Sequence, residues 1–232
     1  MKAVNLKKEW LQLLILAVPF CAVALLWDRI PGWVPIHWNA RGQVDGMEKK
    51  TFGMLLLPCI NVLAALLMGL LPLIDPKLRK LEGDMRASLW RTVRTLRLGI
   101  TLFVAVTSCA MLAAALGMFK DNSQFTHIMN IGVAMLFVVL GNLMTKLRPN
   151  YLIGIRTPWT LESKEVWART HRVGGGLFVA GGLLMIVLSF VVPLALYIYC
   201  VLLPITIGVA LFTTVYSYLI YKRQGPDKAV VS

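Results

Sequence analysis

Long apolar runs separated by shorter polar segments dominate the hydrophobicity pattern of this chain. Six of these runs are long enough, at about 1.5 Å of helix rise per residue, to cross most of a ~30 Å hydrocarbon core. They predict spans at residues 10–27, 52–74, 96–119, 125–144, 174–192 and 194–219, with a kink at Pro204 in the last one. The predicted fold class is therefore an all-α polytopic membrane protein with six transmembrane helices.

The first run follows a short basic stretch, a combination that also occurs in signal peptides. Because the apolar run continues through Trp27, we interpret it as an uncleaved first span. The charged residues 75–95 are expected to extend as helix into the third span.

Composition agrees with the membrane class, since 58% of the 232 residues are hydrophobic and only 15% are charged. The net charge of +13 raises the question of nucleic acid. However, no basic run interleaves with aromatic residues and no zinc-finger or helix-turn-helix signature occurs, so nucleic acid is not an expected partner. The four cysteines form no Cys-x-x-Cys pair and are predicted to be small buried hydrophobic residues: Cys21, Cys59, Cys109 and Cys200.

The distribution of lysine and arginine predicts how the spans are oriented. Both termini and the segments 75–97 and 146–173 carry 19 of the 24 basic residues, and the remaining segments carry 5. Cytoplasmic loops hold the excess of basic residues, so both termini and the 146–173 segment are expected in the cytoplasm. The loop Asp28–Thr51, here the front loop, is then extracytoplasmic. Anionic lipid headgroups are the expected partners of the basic side, at about 1 kcal/mol per residue.

Residues 146–173, here the signature segment, are too polar to span a bilayer yet contain two tryptophans and a tyrosine. Pro149 and Pro158 disfavour helix at the residues before them, so the first half is predicted to be irregular. Thr160 or Ser163 would cap a following helix, on which Trp167 and His171, four residues apart, share one face.

Two strings of residues resemble known families. Asn150, residues 153–160 (Ile-Gly-Ile-Arg-Thr-Pro-Trp-Thr), Trp167 and Thr170-His171 resemble the signature of the SdpI family of integral membrane immunity proteins. Pro31, residues 35–39 (Pro-Ile-His-Trp-Asn), Gly42 and Asp45-Gly46 resemble the small membrane domain of unknown function that commonly precedes it. The resemblance divides the chain into a two-span unit, 1–95, and a four-span SdpI-like unit, 96–232.

This resemblance implies a multi-pass protein of the bacterial cytoplasmic membrane that protects its cell against a secreted peptide toxin. Some members also hold a transcriptional repressor at the membrane, so a toxin outside and a repressor inside are the implied partners, with no cofactor. The implied cytoplasmic binding residues are Asn150, Gly154, Arg156, Thr157, Pro158, Trp159, Trp167 and His171. The implied extracytoplasmic ones are Pro35, His37, Trp38, Asn39 and Asp45.

The alternative interpretation is a small transporter or a membrane-embedded enzyme that uses the same loops. No acidic residue falls in the core of a predicted span, where coupled transporters place their carboxylates. His37 and His171 have acidic neighbours but lack metal-ligand spacing, and no nucleophile elbow occurs. We therefore expect binding rather than turnover, with no catalytic residue and no metal.

Arg156 lies in an otherwise apolar stretch, and two roles are open for it. Its guanidinium suits a lipid phosphate or a partner's carboxylate. Equally, it suits a local clamp, either on backbone carbonyls left unpaired near Pro149 and Gly154 or on Glu162 or Glu165. The glycines at the start of the fifth span are assigned to helix packing, through the spacing Gly176 to Ala180.

Overall fold

The computed structural model describes residues 6–74, 80, 82–121, 123–151 and 153–224, and parts of the predicted connector, signature segment and termini lie outside these ranges. Most of the described chain is helical. The helices are α1 (Leu6–Leu25), α2 (Lys50–Ile74), α3 (Gly83–Ala115), α4 (Ser123–Met144), α5 (Pro158–Glu162), α6 (Lys164–Leu188), α7 (Leu194–Tyr197) and α8 (Leu203–Gln224). A π-turn, Ile198–Leu202, joins α7 to α8 just before Pro204, whose missing N–H perturbs the regular helical ladder.

Within the described ranges, five helical stretches are long and apolar enough to cross a membrane. They are Lys50–Leu70, Gly83–Ala115, Ser123–Met144, Lys164–Leu188 and Leu194–Gln224. These confirm five of the predicted spans, while the apolar part of α1, Glu9–Leu25, is shorter. The chain thus has the helices of a multi-pass membrane protein.

The front loop departs from the all-α prediction because it contains a two-stranded antiparallel sheet. Strands β1 (Trp33–Trp38) and β2 (Val44–Lys49) form a unit that we call the front hairpin. Asn39 Oδ1 accepts from the backbone N–H groups of Arg41 and Gln43, at 2.9 and 3.1 Å, and fixes the turn. Gly42 supplies the positive φ of 76° that the turn requires. Six-residue strands flanked by much longer apolar helices are easily missed in a hydropathy pattern.

Helix α6 also differs from the prediction, since it runs without interruption from the signature segment into the fifth span. Three consecutive glycines, residues 174–176, were expected to mark the start of a separate span. Gly175 lies in a tight contact with α4, where a Cβ would fall 2.7 Å from the carbonyl oxygen of Gly141, and Gly174 lies equally close to Ile155 of the signature segment. This packing offsets the low helix propensity of glycine.

The predicted packing pair, Gly176 and Ala180, is wrong. Both residues are exposed, and a Cβ at Gly176 would meet nothing within 4 Å. The close contacts lie on the opposite face of α6, where Gly175 faces Gly141 and Gly182 faces the backbone of Ala134.

A polar cluster joins α1, α2 and α3 in the first half of the chain, and we call it the polar seam. Arg97 forms an ion pair with Glu9. One turn deeper, Gln12 Nε2 donates to Thr101 Oγ1 at 2.7 Å, and Asn61 Nδ2 donates to the Thr101 carbonyl at 3.1 Å. The ion pair was not predicted, because Glu9 precedes the first predicted span and Arg97 lies at the edge of the third.

The two irregular segments lie at opposite ends of the helices. Trp38 of the front hairpin stacks on Phe125 at the start of α4, with ring centroids 3.7 Å apart. Val34, fully buried, joins the apolar cluster beneath the hairpin with Val23 and Met54. The signature segment instead contacts the last turns of α8.

The four cysteines are unpaired, but none of them is fully buried in the protein as predicted, and Cys109 is partly buried. Cys21, Cys59 and Cys200 are exposed on the outside of the bundle. In a membrane protein this surface faces lipid, which is as apolar as a protein core.

Candidate functional site

The irregular half of the signature segment is organised by Asn150, which is 1% exposed. Its Nδ2 donates to the carbonyls of Arg148 and Ile153 at 2.8 and 3.1 Å. Its Oδ1 accepts from the Ile153 N–H at 2.7 Å. One buried amide therefore supplies the hydrogen bonds that the broken helix leaves unmade after Pro149.

Gly154 brings this loop against α6. Its φ of 112° is strained for any residue with a Cβ, and a Cβ would collide with His171 Nε2. The next residue, Ile155, donates its N–H to His171 Nε2 at 3.0 Å. The glycine thus permits the contact through which the loop is held on the helix.

His171 has partners for both ring nitrogens. Its Nδ1 lies 2.9 Å from the Trp167 carbonyl, and its Nε2 accepts from Ile155. The ring is therefore neutral with its proton on Nδ1, since a carbonyl can only accept. The predicted shared face of Trp167 and His171 is confirmed by stacked rings with centroids 4.0 Å apart.

Trp167 is 1% exposed, and its Nε1 donates to the Leu147 carbonyl at 3.0 Å. The stacked rings of Trp167 and His171 lie buried between the irregular half of the signature segment and the residues that follow α4. Neither side chain is available to a partner in this arrangement.

Thr157 is the N-cap of α5, with Pro158 at its first position. Thr157 and Thr160 cap each other reciprocally, Thr160 N–H to Thr157 Oγ1 at 3.2 Å and Thr157 N–H to Thr160 Oγ1 at 2.9 Å. Of the two caps predicted for the following helix, Ser163 is the one observed, since it accepts from the Val166 N–H. Thr160 belongs instead to the first turn of α5.

This part of the segment is joined to α8. Thr157 Oγ1 lies 3.0 Å from Ser217 Oγ, and Ser163 Oγ donates to Gln224 Oε1 at 3.2 Å. The Trp159 ring contacts Tyr218 at 5.1 Å between centroids. The short helix therefore packs against the end of the last span.

Arg156 is exposed and donates from Nη1 to the Tyr151 carbonyl at 2.5 Å. This is the backbone-carbonyl form of the local clamp. The two predicted carboxylate partners are engaged elsewhere, Glu165 with Arg169 at 2.6 Å and Glu162 with Tyr221.

At the other end of the molecule, the front hairpin places its candidate residues differently. His37 Nδ1 lies 2.5 Å from Asp45 Oδ1, and the side chains are 69% and 42% exposed. Pro35 pairs with Met47 across the strands, while Asn39 holds the turn. Among the described candidate residues of the hairpin, only Trp38 stacks its ring on a residue of the helices, Phe125.

The structure brings the candidates of the signature segment together as one unit and those of the front loop as one hairpin. Among the described residues, no group of three or more His, Cys, Asp or Glu is arranged to hold a metal ion. In the signature segment, the exposed side chain of Arg156 is thus carried by a framework in which Asn150, Trp167 and His171 have internal hydrogen-bond partners.

The polar seam is the cluster that sequence reasoning missed. Glu9 and Gln12 are one helical turn apart on α1, and Arg97 and Thr101 are one turn apart on α3. Matched polar pairs at this spacing on two apolar helices are the signal that would have revealed it.

Comparison with known proteins gives three results. Residues 146–217 match the SdpI/YfhL protein family, and residues 14–62 match a domain of unknown function, DUF1648. The chain is 24% identical over 223 residues to Immunity protein SdpI of Bacillus subtilis (strain 168), covering 96% of this chain and 100% of that protein. No solved structure matches it at a significant level.

Proposed function

We propose that this chain, which belongs to the SdpI/YfhL protein family, is an immunity protein that protects the cell membrane against a secreted peptide toxin. The observation that carries the proposal is the alignment with Immunity protein SdpI, which extends over 96% of this chain and all of that relative. A likeness confined to one loop would support shared structure only, whereas this one includes both candidate segments.

The protein would act by binding rather than by turnover. Asn150, Trp167 and His171 have their hydrogen-bond partners within the segment and its neighbours, which suits a fixed surface. No observation on the described residues favours the transporter or enzyme alternative. We therefore assign no catalytic residue and no cofactor.

A survival assay tests this function. The chain is expressed in toxin-sensitive Bacillus subtilis cells that lack their own SdpI, which are then exposed to the toxin. Cells carrying the chain should survive like cells carrying the native relative, and empty-vector cells should die. Death of the expressing cells, with the protein present in their membranes at the level of the relative, would refute the proposal.

The proposed topology has six spans with both termini in the cytoplasm. It is supported by the 19 to 5 distribution of basic residues and by the opposite placement of the two irregular segments. The 17 residues from Glu9 to Leu25 cover about 26 Å as helix, enough for a locally thinned bilayer. We keep the division into units 1–95 and 96–232 as part of this proposal, with α3 continuous across the boundary.

Cysteine labelling tests the topology. Gln43 and Lys164 are exposed, one in the front hairpin and one at the start of α6. In a variant without the native cysteines, an impermeant thiol reagent added to intact cells should label a cysteine at residue 43 but not one at 164. Equal labelling of both positions from outside would contradict the model.

The same proposal gives the cytoplasmic side two partners, anionic lipid and a repressor protein. Arg156 and Tyr151 are exposed there, in the segment richest in signature residues. Arg156→Ala should then lower retention of the repressor on membranes at high salt, whereas Arg172→Ala on α6 should not. Unchanged retention in both variants would contradict a role of the signature segment in binding the repressor.

A further inference from the structure

The polar seam joins its three helices at Thr101, which is 1% exposed. Gln12 of α1 donates to the hydroxyl oxygen of Thr101, and Asn61 of α2 donates to its carbonyl. Both amides are themselves buried, since Gln12 is 4% exposed and Asn61 is 1% exposed. Two carboxamide groups from different helices are thus held on one residue of α3.

Each of these amides uses only its nitrogen. Gln12 Oε1 and Asn61 Oδ1 are buried, and neither accepts a hydrogen bond from any residue that the structure describes. Because the oxygen and nitrogen of an amide are bonded to the same carbon, both oxygens lie beside Thr101. A buried oxygen without a donor is costly, and lipid around the helices supplies none.

The hydroxyl group of Thr101 also has a proton to donate, because its oxygen accepts from Gln12. Thr92, Thr95 and Thr107 on the same helix donate to the carbonyl four residues earlier, at 3.1, 3.0 and 2.9 Å. In the described contacts, the Thr101 hydroxyl is engaged only with Gln12. One donor and two acceptors are therefore unmatched at the same point of the seam.

Rotation of the Gln12 amide would not remove this mismatch. Its oxygen would then accept from the Thr101 hydroxyl, and its Nε2 group would be unpaired instead. Asn61 has no such alternative, because only its N–H can donate to the Thr101 carbonyl. In either orientation, one group is left over on each amide.

A water molecule complements these groups. It can donate to both amide oxygens and accept from the Thr101 hydroxyl, which gives about three hydrogen bonds, the usual number for a buried water. A cation fits less well, because it would lie one helical turn from the Arg97 guanidinium. The carboxylate of Glu9, which could offset that charge, is already paired with Arg97.

The same ion pair marks how water reaches this point. Glu9 and Arg97 lie one turn from Gln12 and Thr101, toward the end of the bundle at which α1 begins. The side chains of Glu9 and Arg97 are 20% and 16% exposed, so the ion pair has contact with the surface. Polar groups therefore continue from that surface to the buried amides.

We propose that Gln12, Asn61 and Thr101 bind a water molecule between α1, α2 and α3, which enters past the Glu9–Arg97 ion pair. This water bridges the two amides, which make no direct contact with each other among the described hydrogen bonds. The site is independent of the proposed immunity function.

Water-edited solid-state NMR of the unmodified protein in bilayers of phosphatidylethanolamine and phosphatidylglycerol tests the inference. Leu11–Gln12 and Ile60–Asn61 each occur once in the sequence, so pairwise isotope labelling assigns both amides without a variant. Magnetisation should pass from water to the Asn61 side chain several-fold faster than to the methyl group of Ala65. Ala65 is the matched control because it is 5% exposed and lies one turn nearer the same end of α2. Transfer to Asn61 no faster than to Ala65 would overturn the inference.

A variant tests whether the two amides share the water. In Asn61→Leu, transfer from water to the Gln12 side chain should fall to the level of Ala65, whereas Asn142→Leu, at an exposed position, should leave it unchanged. Undiminished transfer to Gln12 in a folded Asn61→Leu protein would contradict a shared water. If this variant does not fold, the comparison of Asn61 with Ala65 in the unmodified protein decides.

Exchange of the buffer cation distinguishes water from an ion. Replacement of all sodium and potassium by choline should leave the melting temperature of the unmodified protein unchanged. A melting temperature that rises when sodium is restored, and does not rise in Asn61→Leu, would assign the site to a cation and overturn the inference.

Discussion

The signature segment and the front hairpin are both irregular segments between apolar helices, yet they use their polar and aromatic residues in opposite ways. In the signature segment, Asn150, Trp167 and His171 are each 1% exposed and hydrogen-bond within the protein. In the front hairpin, His37 and Asp45 face outward and bond only to each other among the contacts described. The motif residues of the signature segment therefore hold the fold together, whereas those of the front hairpin lie largely on its surface.

The two segments differ in how their backbone hydrogen bonds are made. The signature segment breaks a helix next to the bilayer, where unpaired backbone groups are costly, so side chains must supply the missing bonds. The front hairpin satisfies its backbone by strand pairing, which leaves its outward side chains free. Substitutions in the signature segment should therefore lower the stability of the protein more than substitutions in the front hairpin.

The largest effect is expected from Gly154→Ala. A Cβ at this position combines a positive φ with a collision against His171, and the two together should cost about 3 kcal/mol or more. Melting temperature in detergent and abundance in membranes measure the loss. Gly176→Ala is the control, because its Cβ meets open space on a helix and should leave stability equal or slightly higher. Equal melting of the two variants would contradict the described contact.

Asn150→Ala should have the next largest effect. It leaves one N–H and two carbonyls of a buried loop without their bonds, at a cost of about 2–3 kcal/mol. The control is Asn142→Ala, an exposed residue whose single bond is to Val138 in the preceding turn of its own helix. Protease sensitivity at the signature segment should rise in the first variant alone.

Substitution of Arg156 should be milder. Arg156→Ala loses the bond to the Tyr151 carbonyl at a partly solvated site, at a cost of about 1 kcal/mol. Arg156→Lys keeps the charge and one donor, so it should recover part of the melting temperature. Normal melting in Arg156→Ala, with reduced toxin protection or repressor retention, would instead assign the residue to a partner contact.

The smallest effect on stability is expected for the exposed pair of the front hairpin. His37→Ala and Asp45→Ala should each change the free energy of unfolding by no more than about 1 kcal/mol, because exposed ion pairs contribute little. A double-mutant cycle measured by detergent melting gives the coupling. A coupling free energy as large as the effect of Asn150→Ala would show that the polar residues of the front hairpin stabilise the fold as much as those of the signature segment.

Much of this architecture follows from local rules. The spans follow from apolar length, the helix break from Pro149 and the shared face of Trp167 and His171 from their spacing. Other features depend on residues distant in sequence, as in the fit of Gly175 against Gly141 that keeps α6 continuous. The burial of Asn150 and the stacking of Trp38 on Phe125 likewise depend on partners that no local pattern identifies.

The polar seam has a consequence for how the protein is made. Glu9 and Arg97 are 88 residues apart, so at ~5–20 residues per second of synthesis Glu9 waits roughly 4–18 seconds for its partner. During that time α1 holds a carboxyl group and the amide of Gln12 that lipid cannot satisfy. We expect nascent chains that end after α2 to leave α1 extractable from membranes by alkaline carbonate, and chains that end after α3 to retain it. The first helix to be synthesised would then be stably held in the membrane only after α3 has been made.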